Sequence, residues 1–195
     1  SAVDPIPHRT GEIMNKDQQI EVNNDDIIVS ATDSKGKIVY ANKTFCEIAG
    51  YSLEEVLHRP HNIIRHEDMP KVIFKMLWQT VLSQNNLYAI VKNKTKEGNC
   101  YWVKAYLTPV VQEGKIEKII SYRKCITKRA QEVISKLYAT MVRLENSQGL
   151  EAAERYLQQY LAQRNLSYTQ FINRVAEDKN ITEPKLLSMD MHGQY

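Results

Sequence analysis

Long apolar runs are missing from this chain of 195 residues. None approaches the ~20 residues that a membrane-spanning helix needs, and no signal peptide opens the sequence. Cysteine is scarce: Cys46, Cys100 and Cys125 are the only three, far apart and without a CxxC pair. An odd, dispersed set argues against a disulfide framework or a zinc site and fits a reducing compartment. Charge of one sign is missing as well. The formal net charge is +3, with Lys and Arg alternating with acids, so no nucleic-acid footprint stands out. There is no visible acid/base pair, nucleophile constellation or second substrate site, which argues against an enzyme. What remains is a cytoplasmic chain long enough for one ordinary domain plus an appendage.

What is present is a series of short elements with clear punctuation. Residues 1–13 carry two prolines and no apolar period, and Met14 reads as the native start behind an appended leader. Residues 27–32 (IIVSAT) and 38–41 are β-rich and flank an Asp33-Ser34-Lys35-Gly36 turn, a hairpin. Asn42 caps a short helix bearing Phe45, Ile48 and Ala49, which Gly50 ends. Ser52 to Glu55 form a capping box, with Tyr51 and Val56 as its staple, opening a second short helix to about His58. Residues 70–82 place Val72, Ile73, Met76, Leu77 and Val81 at helical spacing. Three β-like runs follow, 87–94, 100–111 and 116–126, joined by short turns containing Gly98 and Gly114. The order predicts an α+β domain: a five-stranded antiparallel sheet with short helices on one face or end.

From Thr127 the chain reads as helix only. Ala130, Val133, Ile134, Leu137, Tyr138, Met141 and Leu144 form one stripe, and Leu150, Ala153, Leu157, Tyr160 and Leu161 a second. Ser167 to Gln170 form another capping box, with Leu166 and Phe171 spaced as a staple, opening a helix that ends near Ala176. The limits expected are a leader at 1–25, a sensor domain at 26–127, a helical extension at 128–176 and a mobile tail at 177–195. Two apolar stripes need burial on each other, on the sheet or across a two-fold axis, and they predict a homodimer.

Between the second and third helices lies residues 61–70, HNIIRHEDMP, with two His, one Arg, one Glu and one Asp around two Ile. Asp68 could cap the next helix, with Pro70 in its first turn. That leaves Arg65 and His66 unexplained. Arg65 offers a planar fork of donors to phosphate or carboxylate, and His61 and His66 can donate, accept or ligate.

This block, followed by VKNKTKEGNCYWVKA and preceded by YANKTFCEIAGYS, resembles the PAS domains of bacterial energy-taxis sensors of the Aer and CetB type. The resemblance covers residues 26–175, and the helical part resembles the extension of stand-alone CetB-like proteins. It implies a PAS fold and a non-covalent FAD held by Asn42, Arg65, His66, Asp68, Trp78 and Asn93. The chemistry of these side chains suits a flavin. Asn93 can both accept and donate at a ring edge, Arg65 can meet a diphosphate, and Trp78 can pack on an aromatic system. Asn42 can equally serve only as a helix cap, and Trp78 as core. The resemblance further implies a redox or energy sensor, not an enzyme, whose helices signal to a methyl-accepting chemotaxis receptor at the inner face of the membrane. The chain departs from the Aer pattern at Leu87-Tyr88-Ala89, where Trp-x-Gly is usual, and at Glu67, which replaces a proline. Two other readings stand beside it. One is a haem b sensor with His61 or His66 as axial ligand. The other is a cofactor-free interaction module. A light-sensing LOV domain is not among them, because its cysteine-bearing motif is absent after Ser52.

Overall fold

A computed structural model describes residues 17–177. The leader at 1–13 and the tail beyond Glu177 therefore lie outside the described residues. Strands β1 (Ile28–Thr32) and β2 (Ile38–Ala41) form the first hairpin. Helix α1 (Lys43–Ala49) starts where Asn42 Oδ1 accepts the Phe45 N–H at 2.9 Å, and stops at Gly50, whose φ of 77° suits glycine. Helix α2 (Leu53–Val56) opens on the expected capping box of Ser52 and Glu55. It ends at Val56, before the expected His58, because Leu57 turns extended and His58 adopts a left-handed φ of 66°. A 3₁₀ turn (His61–Ile64) leads to α3 (Lys71–Leu82), then β3 (Leu87–Lys94), β4 (Cys100–Gln112) and β5 (Lys115–Lys124). The extension is α4 (Lys128–Gln148), α5 (Leu150–Arg164) and α6 (Tyr168–Val175).

The sheet runs β2-β1-β5-β4-β3, each pair antiparallel. Register and alternation put Val91 and Asn93 opposite Val103 and Tyr101, on the face covered by α3. Trp102 lies on the other face, where its ring stacks on Tyr138 of α4 with centroids 6.3 Å apart. One apolar core spans both layers and includes Phe45, Ile64, Ile73, Ile90, Tyr138 and Ile172.

An edge strand presents unpaired backbone groups that invite other chains. Here β3 is an edge, and its outward groups are taken by side chains and by the backbone of residues 65–66. Tyr88 N donates to Thr169 Oγ1 at 3.2 Å, and Tyr138 Oη donates to Ile90 O at 2.6 Å. Lys92 N meets Met69 Sδ at 3.2 Å, and Lys92 O accepts the His66 N–H at 3.4 Å. The extension is thus packed along the sheet edge. Its stripes are buried inside the chain, through Ala130, Ile134, Leu137, Tyr138 and Met141 on α4 and Ala152, Ala153 and Leu157 on α5. Leu150, expected in the second stripe, is exposed. Much of the apolar surface behind the homodimer expectation is thus buried within one chain, while Val133, Leu144, Tyr160 and Leu161 are half-buried.

The start of α3 corrects the capping assignment of Asp68. Pro70 is the N-cap residue and offers no side-chain acceptor. The first-turn N–H groups of Lys71 and Val72 instead donate to Glu145 Oε2 and Oε1 of α4, at 3.1 and 2.9 Å. Asp68 pairs with Lys92 Nζ at 2.8 Å.

Candidate functional site

A cavity of about 300 Å³ lies between the sheet, the 3₁₀ turn and α3. Its apolar wall includes Ile64, Phe74, Leu77, Val81, Val91 and Ile119; Ala105 and Leu107 are on it too. Its polar wall includes Ser30, His61, Arg65, Asn93, Ser121 and Arg123. Trp78 lines it as well and stands over Gly36: a Cβ there would lie 3.5 Å from the indole.

Arg123 is 2 % exposed, yet its partners are neutral. Its Nη2 donates to Ser30 Oγ, and to His61 Nε2 at 2.7 Å; Ser30 Oγ is itself 2.9 Å from His61 Nε2. Accepting from a guanidinium requires a lone pair on Nε2. Burial, with Arg123 next, accordingly pushes the His61 imidazole down to about 3, so it is neutral at ordinary pH. Burial also draws Arg123 down to about 10, still a cation at pH 7. Arg65 lies with its guanidinium 3.7 Å over the Phe74 ring, and burial lowers its pKa too. Its backbone bridges to Asn93, which fixes both residues to one wall.

Among the described residues, four buried polar atoms make no well-aligned hydrogen bond: Arg65 Nε, Asn93 Nδ2, Tyr101 Oη and Arg123 Nη1, of which the Asn93 amide and the Tyr101 hydroxyl lie near enough to interact with each other. Three of these belong to residues that line the cavity. Buried donors are nearly always paired in native proteins, so the unpaired guanidinium donors of Arg65 and Arg123, with the Asn93 amide beside them, point to a ligand rich in acceptors. Among the described residues no carboxylate lines the cavity, and neither guanidinium has an acidic partner.

The residues singled out in the sequence separate into two groups. Arg65, Trp78 and Asn93 meet at the cavity. His66, Asp68 and Asn42 do not line it. His66 Nδ1 accepts the Asp68 N–H at 3.0 Å, which places the ring proton on Nε2, and this donates to Asp17 Oδ1 at 2.8 Å. That bond lowers the Asp17 pKa. Cys100 Sγ completes a group with ligand atoms within 4.8 Å, but the Nε2 proton stands where a metal would need a lone pair. Asn42 is fully engaged, accepting from Phe45 N and Val29 N and donating to Ile27 O. Leu87 and Ala89, the departures from the Aer pattern, are buried opposite Leu107 and Ala105, on the cavity face. Glu67, the other departure, pairs with Lys94 at 2.8 Å. Sequence reasoning missed Arg123, Ser30 and the inward role of His61. The available signal was the alternation Ile119, Ser121, Arg123, which places polar groups on the inner face of β5.

Residues 38–123 match the family model described as PAS fold. Together with the sheet order, this match gives residues 38–123 the PAS fold. Among known proteins, the chain is 38% identical to the Aerotaxis receptor of Escherichia coli (strain K12) over 124 residues, 64% of this chain and 24% of that protein. It is 29% identical to the Nitrogen fixation regulatory protein of Klebsiella oxytoca over 102 residues, 52% of this chain and 21% of that protein. The chain thus spans no more than about a quarter of these curated relatives. In fold it is similar to an RNA-binding Light-Oxygen-Voltage receptor, with a TM-score of 0.51 and 21% identity over 58% of this chain and 33% of that one. It is also similar to the light state of the blue-light photoreceptor Aureochrome1 LOV, with a TM-score of 0.50 and 17% identity over 60% of this chain and 91% of that one. The chain therefore carries a region of PAS fold that is similar to part of an aerotaxis receptor. No described helix is long and apolar enough to cross a membrane.

Proposed function

We propose that the cavity holds a flavin, non-covalently and as FAD, and that the protein is a cytoplasmic redox sensor rather than an enzyme. The observation that carries this reading is the pair of orphaned guanidinium donors, on Arg65 and Arg123, with the Asn93 amide beside them, around a wall without carboxylates. A flavin ring edge is rich in acceptors and its diphosphate is anionic, so both complement this wall. The apolar wall, with Phe74, Leu77 and Val91, suits the flat ring body. At about 300 Å³ the cavity sits at the small end of ligand pockets and fits the ring end of a dinucleotide. A bound flavin supplies reversible electron uptake coupled to protons on its ring. The chain's own part is to orient it through Arg65, Asn93 and Arg123 and to keep water out.

Two observations weigh against haem. His61 Nε2 is occupied by Arg123 and Ser30, and His66 is turned to Asp17 outside the cavity. A cofactor-free module would leave the two guanidinium donors unsatisfied, at a cost of about 1–3 kcal/mol each. His66 and Asp68 support the site from outside it, by fixing the loop against β3.

The similarity to a protein named Aerotaxis receptor supports energy taxis as the process, and the receiver of the signal in this reading is a methyl-accepting chemotaxis receptor. The first experiment is the absorption spectrum of freshly purified protein. Flavin bands are expected, and the chromophore released by heat should co-elute with FAD. A Soret band or a bare protein spectrum with no uptake of added FAD would refute the assignment.

A further inference from the structure

The extension grips two walls of the cavity. Helix α3 contributes Phe74, Leu77 and Val81 to the cavity, and β3 contributes Val91 and Asn93. Glu145 takes both first-turn N–H groups of α3, and Tyr138 takes Ile90 O, one residue from Val91. Lys75 of α3 reaches Glu154 of α5 at 3.5 Å.

Glu145 is out of place for its own helix. It lies in the last turn of α4, where the dipole disfavours a carboxylate and the Gly149 N–H already closes on its carbonyl. It is well placed for α3, whose N-terminus has no acid in its first turn and no side-chain cap. The partners are 73 and 74 residues apart, so the pair exists only when the extension is docked.

We propose that the extension is a latch that reads cavity occupancy, with the Glu145 carboxylate on the N-terminus of α3 as its catch. A ligand that orders α3 and β3 reduces the cost of docking α4 and α5 on them. By linkage, docking then tightens ligand binding by the same factor. The device rests on the flavin reading for the identity of the natural ligand, and the Glu145 contact can be judged without it.

The test uses the full chain, the isosteric Glu145→Gln, which keeps one acceptor, and Glu145→Ala. Hydrogen exchange is followed with and without added FAD, and FAD affinity is titrated. FAD should slow exchange in α3 and in the 145–157 region together. In Glu145→Ala the slowing of α3 should persist while that of the extension is lost, and FAD affinity should fall about five-fold or more, with Glu145→Gln between. Slowing of the extension that survives Glu145→Ala, or unchanged affinity, overturns the latch. If no FAD binds, the flavin reading falls and the latch is decided on ligand-free protein. There Glu145→Ala must speed exchange at Lys71, Val72 and the cavity-lining turns of α3, and unchanged rates overturn it.

Discussion

Arg123 shows how much one side chain can say about a site. A buried cation without an anion is costly for folding, and a chain retains it where a ligand completes the pair. Replacing it with an apolar residue should therefore act in opposite directions on two properties. In Arg123→Met, Ser30 and His61 can satisfy each other, since they are already 2.9 Å apart. The ligand-free protein should keep its stability or gain about 1–2 kcal/mol in denaturant unfolding, while FAD affinity falls at least about ten-fold. A variant that is destabilised yet binds FAD normally would show that Arg123 is structural. His61 gives a second prediction. Its folded pKa of about 3 lies below the ordinary value of 6.5, so between those pH values the unfolded chain binds more protons. Stability then rises with pH across that window, and is lost as pH falls below about 6.5. Between pH 7 and pH 5 this one group should remove about 1–2 kcal/mol, measured by urea unfolding. His61→Asn should flatten that part of the profile. An unchanged slope would mean the imidazole is not held neutral by Arg123 and burial.

At the level of elements, what was legible in the sequence is what is decided locally. Asn42, Gly50, Ser52 and Ser167 each cap the helix end their spacing implied, because a cap needs only residues within four positions. The hairpins were legible for the same reason. The start of α3 was not, since its acceptor comes from Glu145, 73 residues beyond Val72. The division of residues 61–70 was not legible either. His66 was expected at the flavin and His61 was not, but the 3₁₀ turn and the bridge of Arg65 to Asn93 send His61 to the cavity and His66 to Asp17. Site residues on three strands, such as Ser30, Asn93 and Arg123, share a wall only once the sheet order is known. The seam between the extension and β3 makes its own prediction. Tyr138 Oη donates to Ile90 O and is 2.6 Å from Tyr168 Oη. The two hydroxyls are near enough for either to serve that carbonyl. Tyr138→Phe should cost about 1 kcal/mol, and the double change with Tyr168→Phe should cost more than the sum of the single changes by about 0.5 kcal/mol or more. Strict additivity in a thermal or urea double-mutant cycle would mean the hydroxyls do not share the work.

For the whole molecule, the decisive question is whether the extension joins two chains or completes one. The apolar stripes alone allowed either answer. The structure buries them against β3, α3 and each other, and uses Thr169 and Tyr138 to satisfy edge groups of the sheet. Removing everything after Thr127 would thus expose Ile90 and Trp102, which are buried now, and leave the Tyr88 N–H and the Ile90 carbonyl without their partners. An open, apolar strand edge recruits other chains. The truncated protein should accordingly associate more than the full chain, and should melt lower or aggregate on heating. Light scattering across a concentration series measures the first effect, and a thermal scan the second. Had the helices been a dimer contact, truncation would instead lower the mass of a well-behaved species. A truncated protein that stays monodisperse, is no larger in assembly than the full chain and melts at the same temperature would show that the sheet needs no cover from α4 to α6. The extension would then be an appendage on a finished sensor domain.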